Sequence, residues 1–296
     1  MNPVDHEELL VRRGERSGLY TVIAVHSTVL GPALGGCRLW SYPSTADGVS
    51  DAMRLARAMT YKAAAAGLDL GGGKGVICAA PGGPPRGAER KAALLDFADS
   101  VAALDGRYIT AEDVGTSADD IAVIAQRTSH VTGLPPELGG SGDPSPLTAR
   151  GVETAIRACC EHRYGSRSLH GARIAVVGLG HVGSRLAQRL AAAGAELVVS
   201  DIDPARRAVA TALGADWLEP EEEMLADCDV LAPCALGGAI TAENVGSLRC
   251  EIVCGSANNI LAEDSLAEEL AARGILYAPD FIANAGGLIN VFGELH

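Results

Sequence analysis

Aromatic side chains are scarce in this chain, at 4% of its residues, while glycine is abundant at 36. That balance suits an α/β protein with many tight strand–helix turns. Positive charge is also short. Lys and Arg number 24 against 37 Asp and Glu, a net charge of −13, which argues against nucleic acid as the natural partner and favours solubility. It leaves room for a local basic pocket around an anionic small molecule. No apolar run approaches the roughly 20 residues that span a bilayer. Residues 1–8 are acidic and have no apolar centre, so they are not expected to form a secretory signal. There is no CxxC pair, no metal-ligand cluster and no internal repeat. The eight cysteines are scattered, several of them in apolar runs (Cys78, Cys234, Cys254). They read as buried free thiols in a reducing cytoplasm, not as disulfides or a zinc site. The seven histidines are scattered too, and none is assigned chemistry.

What is present is length and order. The 296 residues, 48% apolar, suffice for two domains with sizeable cores. Up to about residue 132 the chain alternates strand-like and helix-like stretches. Leu19 to His26 reads as a strand, and Asp51 to Ala66 as a helix with Ala52, Leu55, Ala56, Met59 and Ala63 on one face. Gly75 to Ala79 is a strand, Ala88 to Leu104 a helix and Tyr108 to Thr110 a strand. Residues 133–146 are dense in Pro and Gly and mark the expected boundary. Beyond it, strands are expected at 173–178, 196–200, 229–233, 251–255 and 276–282, with helices between them. This alternation implies a doubly wound, mostly parallel sheet.

Two motifs carry chemistry. Lys62 and Lys74 lie among Ala, Gly and Leu with almost no competing polar side chains. Lysine is rarely buried without purpose. Two ammonium groups in one apolar cleft repel each other, so one is expected to lose its proton easily. Such a cleft holds a carboxylate and does base chemistry. Taken alone, each lysine is more often a solvated or snorkelling side chain. The second motif is Gly178-Leu179-Gly180-His181-Val182-Gly183. It follows an apolar strand, opens a helix, and precedes a second strand that ends at Asp201, the context of a dinucleotide site. Gly178 permits the turn, Gly180 the approach of a pyrophosphate, and Gly183 close helix–strand packing. Asp201 would accept hydrogen bonds from ribose hydroxyls and repel a 2′-phosphate, favouring NAD over NADP. Arg206 and Arg207, just beyond, weaken that preference slightly.

Gly31-Pro32-Ala33-Leu34-Gly35-Gly36-Cys37-Arg38, Met59-Thr60-Tyr61-Lys62, Gly71-Gly72-Gly73-Lys74, Ala111-Glu112-Asp113-Val114-Gly115-Thr116, Gly142-Asp143-Pro144-Ser145-Pro146, Ala232-Pro233-Cys234-Ala235, Gly255-Ser256-Ala257-Asn258-Asn259 and Asn284-Ala285-Gly286-Gly287 occur in this order. From about residue 16 onward the chain resembles the Glu/Leu/Phe/Val amino-acid dehydrogenase family, on its leucine–phenylalanine–valine side. The resemblance implies an N-terminal α/β catalytic domain (1–132) followed by a Rossmann-type domain (133–296), with the substrate in the cleft between them. It implies reversible NAD-dependent oxidative deamination of an L-amino acid to a 2-oxo acid and ammonium. It also implies a homo-oligomer formed through the first domain.

By the same resemblance, Lys62 binds the substrate carboxylate, Lys74 is the catalytic lysine and Asp113 its acid–base partner. Gly35 and Gly36 let backbone approach the substrate. Leu34, Met59, Ala111, Leu288 and Val291 line the side-chain pocket. Thr148, Cys234, Ala235, Ala257, Asn258 and Asn284 join the glycine motif and Asp201 on the cofactor. Asp113 could instead be a helix cap, although Ser117 or Thr116 is the better one. Glutamate-specific members place a lysine where this chain has Leu34, and an unpaired buried carboxylate is costly. An apolar substrate is therefore expected, branched-chain before aromatic. The sequence stops at His296 where family members continue for several helices. The alternative expectation is accordingly a non-catalytic or weakly active NAD-binding regulatory homologue.

Overall fold

The structure, a computed structural model, describes residues 5–295. Met1 to Val4, half of the stretch read for a leader, and His296 lie outside the described residues. The chain divides into two compact units. Unit 1 runs to Pro144 and resumes at Leu288, and unit 2 is Ser145–Gly287.

Unit 1 contains β1 (Glu8–Arg13), β2 (Tyr20–Ser27), β3 (Ala33–Ser41), α1 (Thr45–Ala65), β4 (Gly71–Ala79), α2 (Gly87–Ala102), β5 (Tyr108–Glu112) and α3 (Ala118–Ile124). Its sheet order is β1-β2-β4-β3-β5. β1 and β2, and β2 and β4, pair antiparallel; β3 pairs parallel with both β4 and β5. Period-two alternation sorts the strands' side chains onto two faces. Val22, Ala24, Val76 and Cys78 pack with Ala52 and Ala56 of α1. Ile23, Val25, Cys37, Leu39 and Ile77 pack on the other side with Leu94, Phe97 and Val101 of α2 and Ile121 and Ile124 of α3.

Helix α1 begins earlier than its apolar face predicts. Ser44 and Asp47 form a reciprocal capping box, which starts the helix in a polar turn that has no apolar periodicity. β4 extends back through Gly71-Gly72-Gly73, ahead of the strand start expected at Gly75. β1 was not anticipated, and β3 was visible only as a motif.

Unit 2 contains α4 (Ser145–Tyr164), β6 (Arg173–Val177), α5 (His181–Ala192), β7 (Glu196–Ser200), α6 (Arg207–Leu213), β8 (Asp216–Trp217), β9 (Val230–Pro233), β10 (Ile252–Val253), α7 (Leu266–Ala272), β11 (Leu276–Tyr277) and α8 (Asp280–Ala283). Helix α9 (Gly286–Phe292) carries the chain back into unit 1. The six strands lie in the order β11-β10-β9-β6-β7-β8, and every pair is parallel. This is the doubly wound dinucleotide order, with its direction reversing between β6 and β9.

Two expectations change here. The strand expected at 276–282 stops at Tyr277, and Phe281 and Ile282 lie in α8. Pro279 has no N–H to offer a sheet ladder, and its carbonyl accepts instead from Ala283 as the helix starts. The boundary expected at 132/133 falls at Pro144/Ser145, and Leu288 onward belongs with unit 1. Glu294 explains the first shift. Its carboxylate accepts from the Thr132 hydroxyl at 2.8 Å, the Gly133 N–H at 2.7 Å and the Ser141 N–H at 2.7 Å, tying the Pro/Gly-rich stretch to unit 1. Leu288 and Val291 explain the second, because they bury against Leu34 and Leu70.

Candidate functional site

On the α1 side of the unit 1 sheet, Lys74, Arg38 and Asp113 come together. Lys74 sits at the middle of β4, 3% exposed. Alternation places it on the same face as Val76 and Cys78, toward α1. Gly72 makes this packing possible. A Cβ there would lie 2.1 Å from the Thr60 backbone nitrogen of α1, so only glycine lets helix and strand meet. Lys62, in the last turn of α1, is also buried.

Asp113 follows β5 in a turn held by Thr116. The Thr116 hydroxyl accepts from the Asp113 N–H at 2.9 Å and donates to the Cys37 carbonyl at 2.8 Å. Gly36 of β3 leaves the space the carboxylate needs, since a Cβ there would lie 2.8 Å from the Asp113 Cβ. Asp113 Oδ2 then meets two cations, Lys74 Nζ at 3.0 Å and Arg38 Nε at 2.9 Å. Arg38 continues to Asp51 Oδ2 at 2.9 Å, and the Tyr42 hydroxyl donates to that same oxygen at 2.7 Å. Ser117 caps α3, which leaves Asp113 out of the capping role.

The electrostatics follow from this wiring. Burial depresses the Lys74 ammonium below its ordinary pKa and the Arg38 charge pushes the same way, while Asp113 opposes both. Burial, expected together with the nearness of Lys62 to lower this pKa, is the largest cause, and Arg38 adds to it. Burial alone would raise Asp113, but Lys74 and Arg38 outweigh it and hold the carboxyl at about 2. Asp113 is thus an anion and the Lys74 ammonium a stronger acid than an ordinary lysine, a combination that suits proton transfer.

Leu34, Leu288 and Val291 form one apolar cluster with Ala63, Leu70 and Ile109, and Met59 packs against it. Ala111 is buried next along the same face of β5 from Ile109 and pairs with Gly36 of β3. Gly35 faces the opposite way, where a Cβ would strike the Gly73 carbonyl. Sequence reasoning gave Arg38 no role. Its signal was alternation along β3, which puts Leu34, Gly36 and Arg38 on one face.

Unit 2 supplies a second constellation at the carboxyl ends of β6 and β9. Gly178 adopts φ +97°, a region closed to most side chains. A Cβ there would also lie 2.8 Å from that of Ala235, just past β9. Gly183 lies against the Gly178 carbonyl and Cys234, so α5 packs tightly on the turn. Gly180, which caps α5, has nothing within 4 Å of where a Cβ would stand. Leu179 is fully buried, while His181 is exposed at the start of α5 and Val182 partly so. No side chain caps this helix start, and the N–H groups of such a first turn can serve an anion.

Asp201 accepts from the Leu179 N–H at 2.6 Å and the Asp203 N–H at 2.8 Å, using one lone pair of each oxygen. The two neighbouring arginines are engaged elsewhere. Arg206 pairs with Asp203 at 3.8 Å; Arg207 pairs with Glu219 and lies over the Trp217 ring at 4.7 Å. Asn284, 4% exposed, donates from Nδ2 to the Ser256 carbonyl at 3.1 Å and to Asn258 Oδ1 at 3.0 Å. Its Oδ1 is buried without a partner among the described residues. Ala257 is buried, its N–H on the Pro233 carbonyl at 3.0 Å, and Thr148 is half-buried on α4. An open Gly180, a buried amide oxygen lacking a donor and a carboxylate with spare lone pairs fit a dinucleotide with a ribose and an amide to bind.

Both units match models of one family. The family model for the Glu/Leu/Phe/Val dehydrogenase dimerisation domain matches residues 7–130, and that for Glutamate/Leucine/Phenylalanine/Valine dehydrogenase matches residues 199–294. The model for the NAD binding domain of D-isomer specific 2-hydroxyacid dehydrogenases matches residues 148–246. The chain is 46% identical over 297 residues to a leucine dehydrogenase of Thermoactinomyces intermedius, covering 100% of this chain and 80% of the relative. It is 45% identical over 300 residues to a valine dehydrogenase of Streptomyces coelicolor, covering 98% and 80%. Among solved structures, the L-tryptophan dehydrogenase of Nostoc punctiforme superposes with a TM-score of 0.77 at 39% identity, covering 99% of this chain and 83% of that one.

Proposed function

The chain belongs to the Glu/Leu/Phe/Val dehydrogenase family, and from that premise we propose how its residues divide the reaction. It is an oxidoreductase that carries out NAD-dependent oxidative deamination of branched-chain L-amino acids. Amino acid, NAD+ and water give the 2-oxo acid, ammonium and NADH. NAD supplies the hydride acceptor. Unit 1 takes the substrate and the proton chemistry; unit 2 takes the dinucleotide. The reading of a non-catalytic homologue is disfavoured, because a protein that only bound NAD would have no use for a buried Lys74–Asp113 pair at 3.0 Å. That pair is the observation that carries the assignment.

We assign Lys62 to the substrate carboxylate, as a charge-assisted donor. Asp113, held ionised, exchanges protons with the substrate amine. Lys74 in its neutral form takes a proton from the water that attacks the imine left by hydride loss, then passes protons back as ammonia departs. Leu34, Met59, Ala111, Leu288 and Val291 receive the substrate side chain. With no cation among them, a distal carboxylate would remain unpaired. Discrimination between apolar side chains rests on methylene-sized fits worth about 1–3 kcal/mol. The dinucleotide is assigned to Gly178, Gly180 and Gly183 at its phosphates, Asp201 at the adenosine ribose, and Thr148, Cys234, Ala235, Ala257, Asn258 and Asn284 near the nicotinamide.

Two wider assignments accompany these. A cytoplasmic location is supported by eight free thiols; among the described residues no helix is long and apolar enough to cross a membrane. Assembly as a homo-oligomer through unit 1 is supported by edge strand β1. It pairs only with β2 among the described residues and leaves Leu9 and Val11 more than 40% exposed. The test of the activity is NADH absorbance from protein, NAD+ and a panel of L-amino acids at alkaline pH. Leucine or valine should give the highest kcat/KM. NAD binding without turnover of any amino acid would refute the assignment.

A further inference from the structure

We propose that Arg38 is the positioning residue of the reaction, fixing Asp113 so that Oδ1 alone is presented to the substrate amine. The inference rests on the amino-acid dehydrogenase reading above. Arg38 Nε and Lys74 Nζ both bind Asp113 Oδ2, at 2.9 and 3.0 Å. A carboxylate held through one oxygen by two cations on different strands cannot rotate without breaking a charge-assisted bond. Asp113 Oδ1 makes no hydrogen bond among the described residues, and the side chain keeps 13% of its surface exposed. That oxygen is therefore the one open to an incoming amine.

Arg38 is itself held from behind. Its Nη1 lies 2.9 Å from Asp51 Oδ2, and Asp51 is fixed by Tyr42 at 2.7 Å and by Arg54 at 2.9 Å. The guanidinium fork thus spans two carboxylates, a task for which an ammonium has the wrong shape. The side chain is 16% exposed, so the bridge is shielded from water.

Arg38 also sets the charge around Lys74. The titratable groups acting on the pair are Arg38 and Cys37 on β3, Asp51 on α1, and Tyr108 and Glu112 on β5, with Tyr42, in the loop between β3 and α1, behind Arg38 and Asp51. Burial depresses Lys74 first, Arg38 depresses it further, and Asp113 opposes both. Removing the Arg38 charge lets the Lys74 pKa rise, so the neutral amine forms only at higher pH. Removing the Asp113 charge does the reverse.

The experiment is the pH profile of kcat for oxidation of L-leucine by the full chain, wild type against R38Q, R38K and D113N, with KM followed in parallel. R38Q is expected to move the acid limb upward by about one pH unit. Near neutrality it should lose about tenfold or more in kcat, partly regained at higher pH, with little change in KM. R38K keeps the charge but not the fork, so its limb should stay in place while kcat falls. D113N should move the limb downward while losing most turnover. A folded R38Q whose rate falls equally at every pH would reduce Arg38 to a structural residue and overturn the proposal. If R38Q does not fold, R38K decides, and wild-type kcat and KM there overturn it too. A wild-type chain that oxidises no amino acid removes the dehydrogenase reading and this inference with it. An active wild type with an unmoved R38Q limb removes only the inference.

Discussion

The two constellations differ in how complete they are without a ligand. Around Lys74 the charged groups are already wired to one another in unit 1, with Asp113 Oδ1 left open: Lys74 with Asp113, Asp113 with Arg38, Arg38 with Asp51, Asp51 with Tyr42. At the ends of β6 and β9 the reverse holds, with Gly180 open and Asn284 Oδ1 buried without a donor. A buried unsatisfied acceptor carries a desolvation cost that a ligand's donor relieves. The first constellation is built for tuned proton transfer, where charges must be in place beforehand. The second is built for binding, where the ligand completes the bonding. Substitutions in unit 1 should therefore alter rate and pH dependence, and those in unit 2 the affinity for NAD.

The largest expected effect is that of Lys74→Ala, which should lower kcat by at least about 100-fold while leaving the NAD dissociation constant unchanged. NAD affinity that fell with the rate would break the division between the units. Lys62→Ala comes next. It should raise the amino-acid KM by about tenfold or more, the worth of a hydrogen bond to a charged group. An unchanged KM would exclude Lys62 from carboxylate binding.

In unit 2, Gly180→Ala places a methyl where no protein atom stands within 4 Å. The melting temperature should hold while NAD affinity falls about tenfold, the effect of crowding a close approach. A large drop in melting temperature would show that Gly180 serves the fold instead. The smallest change is Asn284→Ala, expected to weaken NAD binding by a few-fold with no shift of the pH profile. Isothermal titration of NAD and steady-state kinetics on each variant check both columns of this comparison.

The same contrast explains what could be read in the sequence. Unit 2 was legible because its chemistry is local. A glycine turn, a strand before it and an acid after it lie within about thirty residues, and the parallel sheet follows from alternation. The error there, a strand run past Pro279 to Ile282, is a boundary error at a residue that cannot join a ladder. Unit 1 was harder because its site is assembled across the chain. Lys74 and Asp113 were identifiable by motif, but their shared oxygen with Arg38 depends on β3 lying between β4 and β5. Nothing local announces that order. β3 and the first residues of β4 were hidden by glycines that carry no hydrophobic signal, since at Gly36 and Gly72 the missing side chain is what the packing uses. Burial as a cause of the Lys74 shift was legible, but the contribution of Arg38 was not, for the same reason. Proximity in sequence pointed to one cation, and the sheet supplied another. The return of Leu288 and Val291 to unit 1 likewise follows from apolar burial with Leu34, a contact of long sequence separation.

The most direct test of the account is the rate of NADH formation from L-leucine by the wild-type chain and by Lys74→Ala, with NAD binding measured on both. Turnover by the wild type, loss of at least about 100-fold in the variant and equal NAD affinity are expected. A variant with near-normal rate, or a wild type that binds NAD and oxidises no amino acid, would contradict it.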